Sequence, residues 1–147
     1  MATSSAVAST LEIDIRDYRT SDESFIMSAW KKSNRMSSSL PSRLYFPVMQ
    51  NRIENIMRDD STVWKVATDP SDELIIGWAV ATGEVLHYVY TRHAFRRAKV
   101  ATRLLRALSD SLGGINHWPT THWTEAADAI AAVKPNTFSY EPERLGE

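Results

Sequence analysis

The chain has 147 residues, 43% of them apolar and 24% charged, which suits a folded domain with a sizeable core and excludes a disordered segment. A formal net charge of −1 excludes a nucleic-acid binder held by overall charge, so any anion site must be a local concentration of cations. With no cysteine, disulfides, thiolate metal sites and a cysteine nucleophile are excluded as well.

Residues 1–10 are rich in Ala, Ser and Thr, without a basic stretch or a long apolar run. They read as a loose tail rather than a signal peptide, and residues 11–147 as a single domain. Leu11, Ile13 and Ile15 alternate with Glu12, Asp14 and Arg16, a half-buried strand. Thr20 and Glu23 have the spacing of a capping box, and the helix they open buries Phe25, Ile26, Ala29 and Trp30. Ser33 to Arg43 is polar and serine-rich, with Pro41 inside it, and reads as a flexible connection; its serines are linker chemistry, not nucleophiles. A second helix is expected from Tyr45 to Arg58, with Val48, Met49, Ile53, Ile56 and Met57 on one side.

Three strand-like runs follow the Asp59-Asp60-Ser61 turn: Thr62–Thr68, Leu74–Thr82 and Val85–Thr91. Their short links suit antiparallel neighbours, and the second run is apolar on both faces, hence central. Gly77 within it predicts a bulge or a close approach by another group. Val100, Ala101, Leu104, Leu105, Leu108 and Leu112 repeat at helical period, and Gly113-Gly114 stops that helix. A weak strand is expected at Ile115–Trp118 or Thr121–Trp123, an alanine-rich helix from Glu125 to Val133, and a last short strand at Thr137–Tyr140. The fold class that results is mixed α/β, a mostly antiparallel mixed sheet with helices on both faces. The longest apolar run, Leu74 to Ala81, is far too short to cross a membrane, so a soluble cytoplasmic protein is expected.

The turn between the Val85–Thr91 strand and the following helix carries Arg92, Arg96, Arg97 and Lys99. Free amides and the helix dipole already favour an anion there, so cations at that end point to a phosphate-bearing ligand. Arg92, Arg96, Lys99, Arg103 and Arg106 would line one stripe if the helix began early, which would suit a nucleic-acid backbone, but the turn residues and the overall charge disfavour this and no nucleic-acid partner is expected. His93, His117 and His122 have no partner at metal-ligand spacing, and no metal is expected. Trp118 and Trp123 read as aromatics walling a pocket or a partner surface.

The element order, with Arg96-Arg97-Ala98-Lys99-Val100-Ala101 leading into the helix, resembles the GNAT family of acyl-CoA-dependent N-acetyltransferases, whose turn reads Arg/Gln-x-x-Gly-x-Gly/Ala. The Leu86-His87-Tyr88-Val89-Tyr90 block, Ile75-Ile76-Gly77-Trp78 and Thr121-His122-Trp123-Thr124 are similar to segments of small GNAT-like proteins encoded by bacteriophages. The resemblance implies acetyl-CoA as co-substrate and an amine, on a small molecule or a protein, as acceptor. It assigns the diphosphate to Arg96, Arg97, Ala98, Lys99, Val100, Ala101 and Thr102, and the pantetheine and thioester to Tyr88, Val89, Tyr90 and Thr91. An attacking amine needs a base, for which Glu84 and His87 are the candidates. The oxyanion needs a donor, which an amide on a bulged fourth strand could supply. The family often places a tyrosine as acid for the leaving thiolate in the helix after the fifth strand. Asn116–Val133 holds none, and Tyr140 is the nearest candidate.

Lys99 stands where the family usually has its first glycine, and a left-handed backbone there would cost a lysine roughly 1–2 kcal/mol. This departure motivates a second reading: a GNAT-shaped protein that has lost its chemistry and serves as a protein-interaction or phage structural component, in the host cytoplasm or the virion.

Overall fold

The computed structural model describes residues 12–35, 41–92, 94–95 and 99–146. The 1–10 tail, Leu11, Ser37 to Ser39, His93 and the Arg96–Ala98 part of the basic turn lie outside the described residues. The chain divides into two compact units, residues 18–62 and residues 1–17 with 63–147.

The first unit is a helical pair. Helix α1 (Glu23–Arg35) follows a short 3-10 turn at Thr20–Asp22, and helix α2 spans Ser42–Arg58. The helix start differs from the expected Thr20–Glu23 box. The Asp22 carboxylate accepts the Arg19 N–H at 2.8 Å and the Asp22 N–H donates to the Arg19 carbonyl at 2.9 Å, so the reciprocal pair sits one residue earlier and tightens the entry into 3-10 geometry. Ser33 to Arg35 are helical rather than part of the connection, because α1 continues past its apolar stripe. The second helix begins three residues before Tyr45 and tolerates Pro47. Pro47 is the sixth residue of α2, so it removes the amide that would bond back to Arg43, close to the helix end where such bonds matter least. Ile26, Trp30, Tyr45, Met49 and Ile53 are buried. The Tyr45 hydroxyl donates to the Lys31 carbonyl at 2.6 Å, joining α2 to α1.

The second unit is built on a six-stranded sheet in the order β1 (Asp14–Arg16), β2 (Thr62–Thr68), β3 (Ile75–Thr82), β4 (Val85–Thr91), β5 (Trp118–Thr120) and β6 (Phe138–Tyr140). β1 pairs antiparallel with β2 and β3 with β4, while β4–β5 and β5–β6 are parallel. The mixed, mostly antiparallel sheet expected from the sequence is present. The weak strand lies at Trp118–Thr120, overlapping the first of the two expected stretches at Trp118 and ending just before the second, and its length is set by its pairing with β6 rather than by any local apolar pattern. Trp118 is buried in the core rather than walling a pocket, whereas Trp123 is partly exposed.

Helix α3 (Val100–Ser111) lays Val100, Leu104, Leu105 and Leu108 on β3 and β4. Gly77 is what lets it come so close. A Cβ at that position would meet the Tyr90 carbonyl oxygen at 2.5 Å and methyl groups of Leu104 and Val100 at 3.3 Å, so the close approach expected for Gly77 is real. Gly113 and Gly114 have positive φ, and the Gly114 amide returns to the Ser109 carbonyl at 2.8 Å, ending α3 where the sequence placed its stop. Helix α4 (Glu125–Val133) is capped by Thr124, whose hydroxyl accepts the Ala127 amide at 3.1 Å. Among the described residues no helix is long and apolar enough to cross a membrane.

Candidate functional site: the fork between the fourth and fifth strands

The register of β3 against β4 slips between Val80 and Ala81: Val80 faces Tyr88, but Ala81 faces Leu86. His87 is therefore one residue too many on β4, a β-bulge. Its effect on phase is visible in the packing. Leu86 and Val89, three residues apart, both enter the core cluster, while Tyr88 and Tyr90 lie against Trp78, at centroid distances of 6.4 and 4.4 Å.

β4 and β5 are joined at one register pair, Leu86 with Thr120, and the Thr121 amide donates to the Leu86 carbonyl at 3.0 Å. Beyond that point β4 runs on to Thr91 while β5 stops, so the two strands part. The Arg92 amide donates to the Ile76 carbonyl at 2.8 Å, continuing the β3–β4 ladder. Alternation back from this bond turns the main chain of Tyr90 and Tyr88 toward β3, and that of Thr91 and Val89 away from it, into the fork.

The fork opens into a cleft of about 340 Å³. Thr91 and the first turn of α3, with Lys99, Ala101 and Thr102, form one side. Ala126, Ala129, Ile130 and Val133, one face of α4, form the other, with Glu125 and Lys134 at the ends of that helix. Lys99, the N-cap residue of α3, has φ 58° and ψ 31°, the left-handed conformation, and its carbonyl accepts the Arg103 amide at 3.1 Å. A lysine side chain has no acceptor, so it cannot cap the α3 amides as Ser, Thr or Asp would. What it brings instead is an exposed ammonium-bearing chain on the cleft wall. Arg92 is drawn elsewhere: its Nε donates to the Ile75 carbonyl at 2.5 Å, tying the strand end to β3.

Four of the residues assigned to the cofactor, Thr91, Lys99, Ala101 and Thr102, line this cleft, and Val100 is buried at the helix start beneath it. Tyr88, Val89 and Tyr90 form the adjoining part of β4; Arg96, Arg97 and Ala98 lie outside the described residues. The α4 wall was not anticipated, although the Ala126, Ala129, Ile130, Val133 spacing is a helical stripe visible in the sequence.

The three candidate proton carriers occupy separate places. Glu84 is exposed in the β3–β4 turn, and Tyr140, 57% exposed on β6, meets Trp123 edge-on at 6.4 Å. His87 is buried, with Nε2 3.0 Å from the Thr82 hydroxyl and Nδ1 3.1 Å from that of Thr121. Thr121 also lies 3.0 Å from Nδ1 of His122, which meets the His87 carbonyl at 3.0 Å and Tyr88 edge-on. Each residue of Thr121-His122-Trp123-Thr124 thus has structural work: two touch the bulge, Trp123 Nε1 donates to Asp128 at 3.1 Å, and Thr124 caps α4. Among the described residues no group of three or more His, Asp or Glu side chains is placed to hold a metal ion.

The architecture is that of the GNAT acetyltransferases. A GCN5-related N-acetyltransferase from Rhodopseudomonas palustris superposes with a TM-score of 0.57 at 16% identity, over 82% of this chain and 79% of its own. A protein described as a transcriptional regulator from Bacillus halodurans gives 0.57 at 18% identity, over 87% and 93%. AAC(6')-Iy, solved with the bisubstrate analogue CoA-S-monomethyl-acetylneamine, gives 0.52 at 17% identity, over 87% and 91%. No protein-family model and no curated protein sequence matches the chain.

Proposed function

We propose that this chain is an acetyl-CoA-dependent N-acetyltransferase of the GNAT superfamily, transferring an acetyl group to the amine of a small molecule or protein. The observation that carries this reading is the fork: β4 parts from β5 beyond Leu86, and the gap runs into an apolar-walled cleft ending at the Lys99-led start of α3. A long, mostly apolar ligand with a diphosphate at one end fits that sequence of surfaces. The coenzyme A complexes of AAC(6')-Iy, of like fold, support the same choice.

When bound, acetyl-CoA supplies a thioester carbonyl open to attack by an amine. The residues of this chain have four tasks. The amides of Val100, Ala101 and Thr102, with the Lys99 ammonium, receive the diphosphate, to which the family resemblance also assigns Arg96, Arg97 and Ala98. The α4 stripe from Ala126 to Val133 shields the chain of the ligand from water. Val89 and Thr91 offer outward main-chain groups to the amide-bearing and acyl portions, as a missing strand would. His87 is the candidate base nearest the fork and Glu84 the alternative, with Tyr140 the candidate acid.

Titration calorimetry with acetyl-CoA tests the proposal. Saturable binding that weakens in Lys99→Gln is the expected result; no binding at millimolar acetyl-CoA would overturn it. A protein partner captured in stoichiometric amount by a chain that ignores acetyl-CoA would establish the non-catalytic reading instead.

A further inference from the structure

The β4 bulge poses a hydrogen-bonding problem that the sheet itself does not solve. In a regular strand successive carbonyls point to opposite edges, and each finds a ladder partner. Here the carbonyls of Leu86 and His87 both turn toward the segment that leaves β5. The first takes the Thr121 amide at 3.0 Å, which leaves the second beyond the ladder. A buried carbonyl without a donor is costly enough to favour a straight strand over a bulged one. His122 meets this need at 3.0 Å, and the Thr121 hydroxyl approaches the same carbonyl from 3.5 Å, the longer of the two contacts. A carbonyl can only accept, so Nδ1 of His122 carries the hydrogen, and that choice fixes the ring's tautomer. The Thr121 hydroxyl lies between the two rings, 3.0 Å from His122 Nδ1 and 3.1 Å from His87 Nδ1, so it sets both imidazoles at once. Thr82 holds the far side of His87 at 3.0 Å.

The bulge decides which main-chain groups face the fork. The Leu86 carbonyl points away from β3; on a straight strand the next residues to do so would be Tyr88 and Tyr90. The extra residue resets the phase, and Val89 and Thr91 face the fork instead. The Val89 N–H is then the first outward donor past the bulge.

We propose that His122 and Thr121 are positioning residues: they stabilise the His87 bulge and thereby aim the Val89 amide at the acyl carbonyl of the co-substrate. The assignment to the acyl group rests on the acetyltransferase reading; the control of the bulge does not. His122 does not touch the reacting atoms in this scheme. Its substitution changes recognition of the acetyl end and leaves the diphosphate end, at the start of α3, as it was.

Two pairs of variants separate this role from a general need for buried bulk. His122→Asn keeps an N–H donor close to the position of Nδ1, whereas His122→Leu keeps volume and removes the donor. Thr121→Ser keeps the bridging hydroxyl, and Thr121→Val removes it with little change in size. The readouts are amide hydrogen exchange and chemical shifts of Leu86 to Val89 by NMR, and calorimetric affinities for acetyl-CoA and for CoA. In His122→Leu the Leu86–Val89 amides are expected to shift and lose protection, and the ratio of acetyl-CoA to CoA affinity to fall about fivefold, the worth of one hydrogen bond. Affinity for CoA is expected to stay unchanged, and His122→Asn to restore both readouts. Should His122→Leu not fold, Thr121→Val and Thr121→Ser carry the same comparison. Native exchange and shifts at Leu86–Val89 in the donor-less variants would overturn the proposal. So would equal loss of affinity for both ligands, since that is general damage. If the native chain binds neither ligand, the acetyltransferase reading and the acyl assignment fall, and the exchange data still decide the control of the bulge.

Discussion

Replacing Lys99 by glycine sets two effects of opposite sign against each other: a backbone effect that follows from the left-handed conformation there, and a charge effect on the ligand. At φ 58° the backbone of Lys99 is in a region that a side-chain-bearing residue occupies at a cost of roughly 1–2 kcal/mol. Glycine removes that cost but loses about 0.4–1 kcal/mol through the greater freedom of the unfolded chain. The net expectation for Lys99→Gly is a stabilisation of about 0.5–1 kcal/mol, or about 2–3 °C in Tm for a chain of this size. The ligand effect runs the other way. An exposed ammonium on a diphosphate contributes about 1 kcal/mol, so affinity for CoA should fall about fivefold, and by less as salt is raised. Lys99→Gln separates the two: it keeps the Cβ and hence the strain, so its Tm should match the native protein while its affinity falls as in the glycine variant. Thermal unfolding and calorimetry at low and high salt supply both measurements. A fall in Tm for Lys99→Gly would show that the backbone at this position is not left-handed in solution. A rise in affinity would show that the lysine obstructs the diphosphate rather than holding it.

Three further outcomes are expected. Gly77→Ala pushes a methyl group onto the Tyr90 carbonyl and the side chains of Val100 and Leu104, and should cost about 1–3 kcal/mol in urea unfolding; a neutral result would mean that the β4 backbone at Tyr90, as well as α3, gives way at this point. Thr124→Ala removes the hydroxyl that accepts the Ala127 amide and should cost about 1 kcal/mol, with Thr124→Ser close to native; equal loss in both would mean that the cap is not what matters. Tyr18 has its phenol raised above the ordinary 10.0 by burial first, then by the charges of Glu23 and Asp22. The neutral phenol is the form the fold favours, so its contribution is complete below about pH 10 and is lost as pH rises through the folded-state value. Tyr18→Phe should therefore lose less stability than the native chain between neutral and strongly alkaline pH, and identical alkaline slopes would refute the assignment.

Much of the fold was legible because local pattern and tertiary structure agree. The helical repeat from Val100 to Leu108, the glycines after it and the three strands from Thr62 to Thr91 stand where their periodicity put them. Departures occur where pairing overrode local preference. Trp118–Thr120 is a strand because Val85–Thr91 and Phe138–Tyr140 lie on either side of it, and its tryptophan is core for the same reason. At the start of α1, Asp22 took the role expected of Glu23. In the candidate site, residues consecutive in the chain were the readable ones: Lys99, Ala101 and Thr102 open α3 and line the cleft. Its opposite wall comes from residues some thirty positions later, which no local pattern relates to that turn.

Residue order by itself determined the periodicity of the elements, the stops between them and the presence of a lysine where a left-handed backbone would be expected to carry glycine. These follow from neighbours along one chain, where spacing alone decides which side chains share a face. The family resemblance implied a bulged fourth strand, but the place of that bulge at His87 was beyond the reach of residue order. An extra residue in a strand is defined only against a partner strand, and the donor that holds it in place, His122, arrives 35 residues later. Tertiary structure decided that, and with it which amides of β4 face the fork, because a carbonyl's partner depends on which groups meet in space rather than on which follow in sequence.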